Sequence, residues 1–339
     1  MSVRVFLAAT LLFPSIALAG NWADETDYPD LAESKEICRQ FKSVAIPDPN
    51  RPDRRVEGGM PECDAEVLYY GIGVPPAPDK AFACAKLWAG EGYMDSDVIL
   101  LTIYANGKGA KRDLDTAIAM ACTMGFAPME SHYRVKHLFA LRQGPNNAEE
   151  FHWCDDITSG LSMGVCADHA QRIAEAERQT RWAPIKARWS QGQAAAALAR
   201  LMESGNLFAR HHGGEIDQSG TARGAFITLA EEDVANGMIK DLEDLVADKA
   251  TLSMAVADDK ADAELNRVYR RVMAYDFGDF GGAPSHAGIR SAQRAWLKYR
   301  DAWVAFVKIA VPDMPPQAIV NHQTRRRIEH LKELIGEEK

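Results

Sequence analysis

The chain has 339 residues, enough for two or more domains with a real core, and a formal net charge of −9. The acidity lies before residue 251, because residues 251–339 hold 14 Lys and Arg against 12 Asp and Glu. An acidic body argues against nucleic acid and anionic membranes as partners and favours encounter with a basic protein.

In chain order, the first feature is an export signal. Met1-Ser2-Val3-Arg4 precedes an apolar run from Val5 to Leu18, and Ala17-Leu18-Ala19 supplies the small-x-small pattern of a signal-peptidase site. The apolar run is too short to span a bilayer, and no other run approaches about 20 apolar residues. The sequence therefore predicts a periplasmic or secreted protein with a cleavable signal at 1–19 and no membrane span. Cysteine usage agrees: Cys38, Cys63, Cys84, Cys122, Cys154 and Cys166 form an even set suited to three disulfides in an oxidising compartment. Fifteen pairings are open, and pairing of neighbours (Cys38–Cys63, Cys84–Cys122, Cys154–Cys166) is the simplest expectation.

A repeat follows an N-terminal segment at 20–60. Leu68-Tyr69-Tyr70-Gly71-Ile72-Gly73-Val74 returns 36 residues later as Tyr104-Ala105-Asn106-Gly107-Lys108-Gly109-Ala110. Asp79-Lys80-Ala81 returns as Asp115-Thr116-Ala117 at the same offset. The unit is a helix–turn–helix: the GxG supplies left-handed backbone freedom at the turn, the aspartate sits near the next helix start, and alanines let helices approach. A period of this length predicts a short α-solenoid. The pattern LYYGIGVPPAPDKAFACAKLWAGEG resembles a Sel-one-like repeat, a relative of tetratricopeptide repeats, which implies a protein-interaction scaffold. The repeat region is placed at 61–167, with a degenerate third copy expected through Leu138–Gly160 around Gly144.

Residues 168–250 read as a helical connector. Ala170–Trp182 and Gln191–Met202 are rich in alanine and helix-forming polar residues. A glycine-bearing loop, His211–Gly220, follows and is expected to be solvated. Ser219 or Thr221 is placed as the cap of a long helix running through Lys249.

The C-terminal region, 251–339, shows the clearest helical periodicity. Ala261, Leu265, Val268 and Val272 form one apolar stripe, and Ile289, Ala292, Trp296, Tyr299, Trp303, Phe306 and Ala310 form a second. The two predict a helical hairpin, and Gln323–Ile335 predicts a third helix beyond Pro312, Pro315 and Pro316. The wording ADAELNRVYRRVM, followed by RSAQRAWLKYRDAW, resembles the helical domain of the lysozyme inhibitor LprI family over about residues 251–337. Its signature positions here are Asp262, Asn266, Tyr269, Gln293, Trp296, Arg300 and Asp301. Family members commonly carry cysteines near both motifs; this region has none, so the module must hold itself together by packing. The resemblance implies a binding partner of the lysozyme type, met by steric occlusion. Trp296 is expected in the core and Arg300 opposite Asp262. The loop Tyr275, Asp276, Phe277, Asp279, Phe280 is the candidate contact element, because aromatics beside acids on a loop suit a basic, carbohydrate-binding cleft. Its plainer reading is a connection with Phe277 and Phe280 tucked onto the hairpin.

Catalytic readings find no support. His211 and His212 with Glu215 and Asp217 suggest a metal cluster, but adjacent histidines point apart and no HExxH spacing is present, so no metal is expected. His152-Trp153-Cys154 places a histidine near a thiol that export commits to a disulfide. There is no phosphate-binding GxGxxG and no CxxC. The sequence predicts an all-α, non-enzymatic protein without cofactors that inhibits a muramidase; an envelope scaffold working through its repeats is the alternative. Its oligomeric state stays open.

Overall fold

Two helical units divide the chain in the computed structural model, which describes residues 20–47, 63–89, 94–145, 149–247, 260–278 and 280–337. The signal at 1–19, residues 48–60 of the N-terminal segment and Asp279 lie outside the described residues. Among the described residues the regular structure is entirely helical, with twelve α-helices and two short 3-10 helices. None is long and apolar enough to cross a membrane.

The first unit, residues 1–69 and 77–156, contains α1 (Ala32–Phe41), α2 (Ala65–Tyr70, whose last residue belongs to the second unit), α3 (Pro78–Trp88), α4 (Met94–Asn106), α5 (Leu114–Thr123) and α6 (Pro128–Gln143). From α3 to α6 each helix packs on the next, and α1 closes against α5 and α6. In α4, residues 98–101 and 103–105 are buried, as are residues 117–122 of α5, so neither helix has a solvated face in these stretches. Apolarity all round places a helix between neighbours. Proline at the first position starts α3 and α6, where its missing N–H costs nothing. Asp113, rather than Asp115, caps α5, accepting from the Thr116 N–H at 3.0 Å.

The two GxG turns close alike. Gly71, Gly73, Gly107 and Gly109 all have φ between 70° and 94°, a region closed to most side chains. The N–H of Ala77 donates to Leu68 at 2.7 Å, and that of Asp113 to Tyr104 at 2.8 Å, the same bond 36 residues on. Gly144 does not continue the series, since its φ of −79° is ordinary.

Disulfide pairing departs from the neighbour rule. Cys38 joins Cys122, 84 residues away, and Cys63 joins Cys84. The cause is tertiary: α1 packs on α5, bringing Cys38 against Cys122, which leaves Cys63 for the buried Cys84 on α3. Cys154 and Cys166 are disulfide-bonded as well, and no free cysteine remains.

The second unit, residues 70–76 and 157–339, contains α7 (Gly160–Arg188), α8 (Gly192–His212), α9 (Arg223–Val246), α10 (Ala261–Val272), α11 (His286–Ala310) and α12 (Pro316–Glu333). α7 extends beyond both ends of the alanine-rich stretch Ala170–Trp182, and α8 continues past Met202 to His212. The cap of α9 is not Ser219 or Thr221: Ala222 holds that position without a side-chain bond, and the Ser219 N–H is taken by Asp217.

One core runs through this unit. Trp182, Leu201, Phe208, Leu242, Leu265, Trp303, Phe306 and Leu331 belong to a single buried cluster drawn from all six helices. The three C-terminal helices are present, but the hairpin is not closed on itself. The main partner of α10 is α12, while α11 lies against α8 and α12. Both apolar stripes turn toward this shared core and are buried, apart from the half-buried Ala310 at the end of the second. A helix buries its stripe against whichever apolar surface covers it best, and α8 offers a longer one than α10.

Candidate functional site

The space between α10 and α11 is a groove of about 380 Å³, lined by Asp262, Leu265, Asn266 and Tyr269 from one side and Arg290, Gln293, Arg294, Leu297 and Arg300 from the other. It exists because the two helices turn their stripes elsewhere. Five of the seven signature positions (Asp262, Asn266, Tyr269, Gln293, Arg300) meet here. Trp296 lies beneath, 2% exposed, and Asp301 points to solvent.

Arg300 is the bridge across the groove. Its guanidinium donates to Asp262 at 3.1 Å and lies 5.0 Å from the centre of the Trp296 ring. The Asn266 amide folds back, donating to the Asp262 carbonyl at 2.8 Å. Arg290 and Arg294 are exposed, and among the described residues neither has a carboxylate partner. The groove is therefore cationic, with one acid against three arginines.

Below it lies a buried charged cluster that the sequence reading assigned to a solvated loop. Glu215, fully buried, receives both arms of Arg327 at 2.5 and 2.8 Å. His212 lies 2.8 Å from the same carboxylate and His330 3.3 Å. Burial alone would raise the pKa of Glu215, but the charge and hydrogen bonds of Arg327, with those of both histidines, hold it well below the usual carboxylate range. Burial pushes His330 down, opposed by its bond to Glu215. Arg327 also donates to the Gln293 Oε1 at 2.8 Å, which fixes a groove residue from below. His211 points away to Ser291 at 3.0 Å, and Asp217 bonds Ser219, so only two of the four suggested ligands converge. His212, Glu215 and His330 have donor atoms within 4.8 Å of one another, a spacing a metal ion could use. Arg327 already occupies both carboxylate oxygens and adds a positive charge, so the arrangement is that of an ion-pair hub.

The loop between α10 and α11 is anchored at both ends. His286 Nε2 sits 3.1 Å from the Tyr275 carbonyl, and the Gln218 N–H donates to the Gly282 carbonyl at 2.7 Å. Gly282 has φ +96°, and a Cβ there would collide with the Gln218 backbone. Of the two phenylalanines expected to tuck in, Phe277 does so, packing on the core and against Tyr275 and His286. Phe280 does not: it is 52% exposed, and Tyr275 is 44% exposed. Asp276 is exposed and accepts from the Gly278 N–H at 2.9 Å.

The sequence did not reveal the Glu215–Arg327 hub or that Arg290 and Arg294 line a groove with α10. Arg327 sits in a run of three arginines that reads as a solvated face, and Glu215 in a glycine-rich stretch. No periodic signal marked either.

These features define an all-α, disulfide-bonded protein whose last three helices present a cationic groove and an aromatic loop. Residues 249–333, about a quarter of the chain, match the model of the family described as Lysozyme inhibitor LprI, and the match spans α10, α11 and α12. No curated protein and no solved structure matches the chain.

Proposed function

We propose that the chain is an exported, non-catalytic binding protein that inhibits a lysozyme-type muramidase by steric occlusion. The observation that carries this reading is the pair of exposed aromatics, Tyr275 and Phe280, on an anchored loop inside the segment that matches the lysozyme inhibitor family. Aromatic side chains give large contact area for little lost rotamer entropy, which suits them to entering a cleft. The acid excess of the chain before residue 251 would steer a basic enzyme toward it. The direct test is lysis of bacterial cell walls by a muramidase in the presence of the full-length chain. Inhibition that falls on substituting Tyr275→Ala and Phe280→Ala together supports the reading. Absence of inhibition at large molar excess, or undiminished inhibition by the double variant, overturns it.

The scaffold reading rests on the equivalent closure of the two GxG turns, which suits stacked helix pairs. Capture of the same envelope protein by wild type and by the double loop variant, with no muramidase inhibition by either, would favour it.

A further inference from the structure

Two positive charges in the α10–α11 groove are not answered by the described residues of the chain. Arg290 and Arg294 stand one helical turn apart on α11, where side chains at this spacing lie side by side. The third arginine, Arg300, is held by Asp262 and supported by the Trp296 ring. A guanidinium presents a planar fork that matches a carboxylate, so two unpaired forks in one groove suit a ligand with two carboxylates. The remaining polar groups have complementary roles. Gln293 has its oxygen occupied by Arg327, which leaves its NH2 to donate. Asn266 has its NH2 on the Asp262 carbonyl, which leaves its oxygen to accept. A free donor on one wall and a free acceptor on the other are what a peptide backbone needs. Leu265 and Leu297 supply apolar wall, and about 380 Å³ lies in the range of sites for small ligands.

We propose that the groove between α10 and α11 binds a short acidic peptide, whose carboxylates pair with Arg290 and Arg294 and whose backbone is read by Gln293 and Asn266. This goes beyond muramidase inhibition, because two unpaired guanidinium forks in a groove call for a carboxylate ligand distinct from an enzyme that meets the aromatic loop.

The experiment is titration of the full-length chain with fluorescently labelled tetraglutamate, followed by anisotropy, with tetraglutamine as the neutral counterpart. Tetraglutamate should bind, weaken with added salt, and lose roughly tenfold or more in affinity for each arginine removed in R290Q and R294Q. Both side chains are exposed, so the variants should keep the wild-type far-UV circular dichroism. Lys298→Glu, on the same helix but outside the groove, should retain most of the binding. Failure of tetraglutamate to bind at millimolar concentration, equal binding of tetraglutamine, or a loss in K298E equal to that in R290Q overturns the proposal. Binding of a carboxylated glycan without binding of the peptide overturns the assignment to a peptide. Muramidase inhibition can fail or succeed without altering these outcomes.

Discussion

Replacing Arg327 with methionine should destabilise the second unit severely. The side chain is 2% exposed and makes three hydrogen bonds, two to the fully buried Glu215 and one to Gln293. Methionine keeps much of the volume but leaves a carboxylate in the core with only the two histidines beside it. Removing one partner of a buried ion pair costs about 3–5 kcal/mol, mostly the penalty on the stranded charge. In a unit of this size that corresponds to a fall in Tm of roughly 10 °C. Four of the seven tryptophans (Trp182, Trp189, Trp296, Trp303) lie in the second unit. Tryptophan fluorescence during urea and thermal unfolding at pH 7 therefore reports largely on it. The double variant E215Q/R327M should recover much of the loss, because it removes the stranded charge as well. The sign with pH follows from the depressed pKa of Glu215. Its ionised form contributes stability above the usual carboxylate value of 4.5, and that contribution is lost as pH falls through the lower folded value. The deficit of R327M should therefore narrow as pH falls. A loss below about 1 kcal/mol, or a double variant no better than the single, would refute the account.

Other outcomes follow from the same geometry. Replacing both Cys38 and Cys122 with serine opens a span of 84 residues, against 21 for Cys63 and Cys84. Chain entropy gives losses of about 4.5 and about 3.3 kcal/mol, so an inverted order in urea midpoints would count against it. Burial lowers the pKa of His330 from 6.5, so folding favours its neutral form and stability declines as pH falls below about that value. His330→Gln should flatten part of that decline between pH 7 and 5, whereas an unchanged slope would remove His330 from the cause. Gly282→Ala forces a Cβ onto the Gln218 backbone at a positive φ and should cost about 1–3 kcal/mol. Gly281→Ala meets open space and should cost far less; equal losses in a thermal melt would refute the distinction.

Much of the fold was legible because helical periodicity is a local signal. The stripes of α10 and α11 name their buried residues, and Trp296 and Trp303 are core for the reason their spacing gives. The 36-residue offset names both GxG turns, since only glycine serves there. Helix ends were less legible: α7 and α8 extend beyond their alanine-rich centres because α9 and α11 cover them. At the candidate site the sequence marked the signature residues and the loop, but not their arrangement. Asp262 and Arg300 meet across 38 residues, and nothing local says that Arg290 and Arg294 share their groove.

By itself, the sequence determined the helical class, the apolar stripes of the C-terminal helices and the kinship of the C-terminal region, matched over residues 249–333. Each of these is written within a few turns of chain. Only the tertiary structure decided which cysteines pair, that the C-terminal helices share a core with α8 and α9, and that Glu215 is buried under Arg327. It also decided that α10 and α11 part to leave a cationic groove. These outcomes depend on contacts between residues tens to more than a hundred positions apart, where the choice among apolar faces is set by competition for burial and by the need to neutralise every charge that burial removes from water.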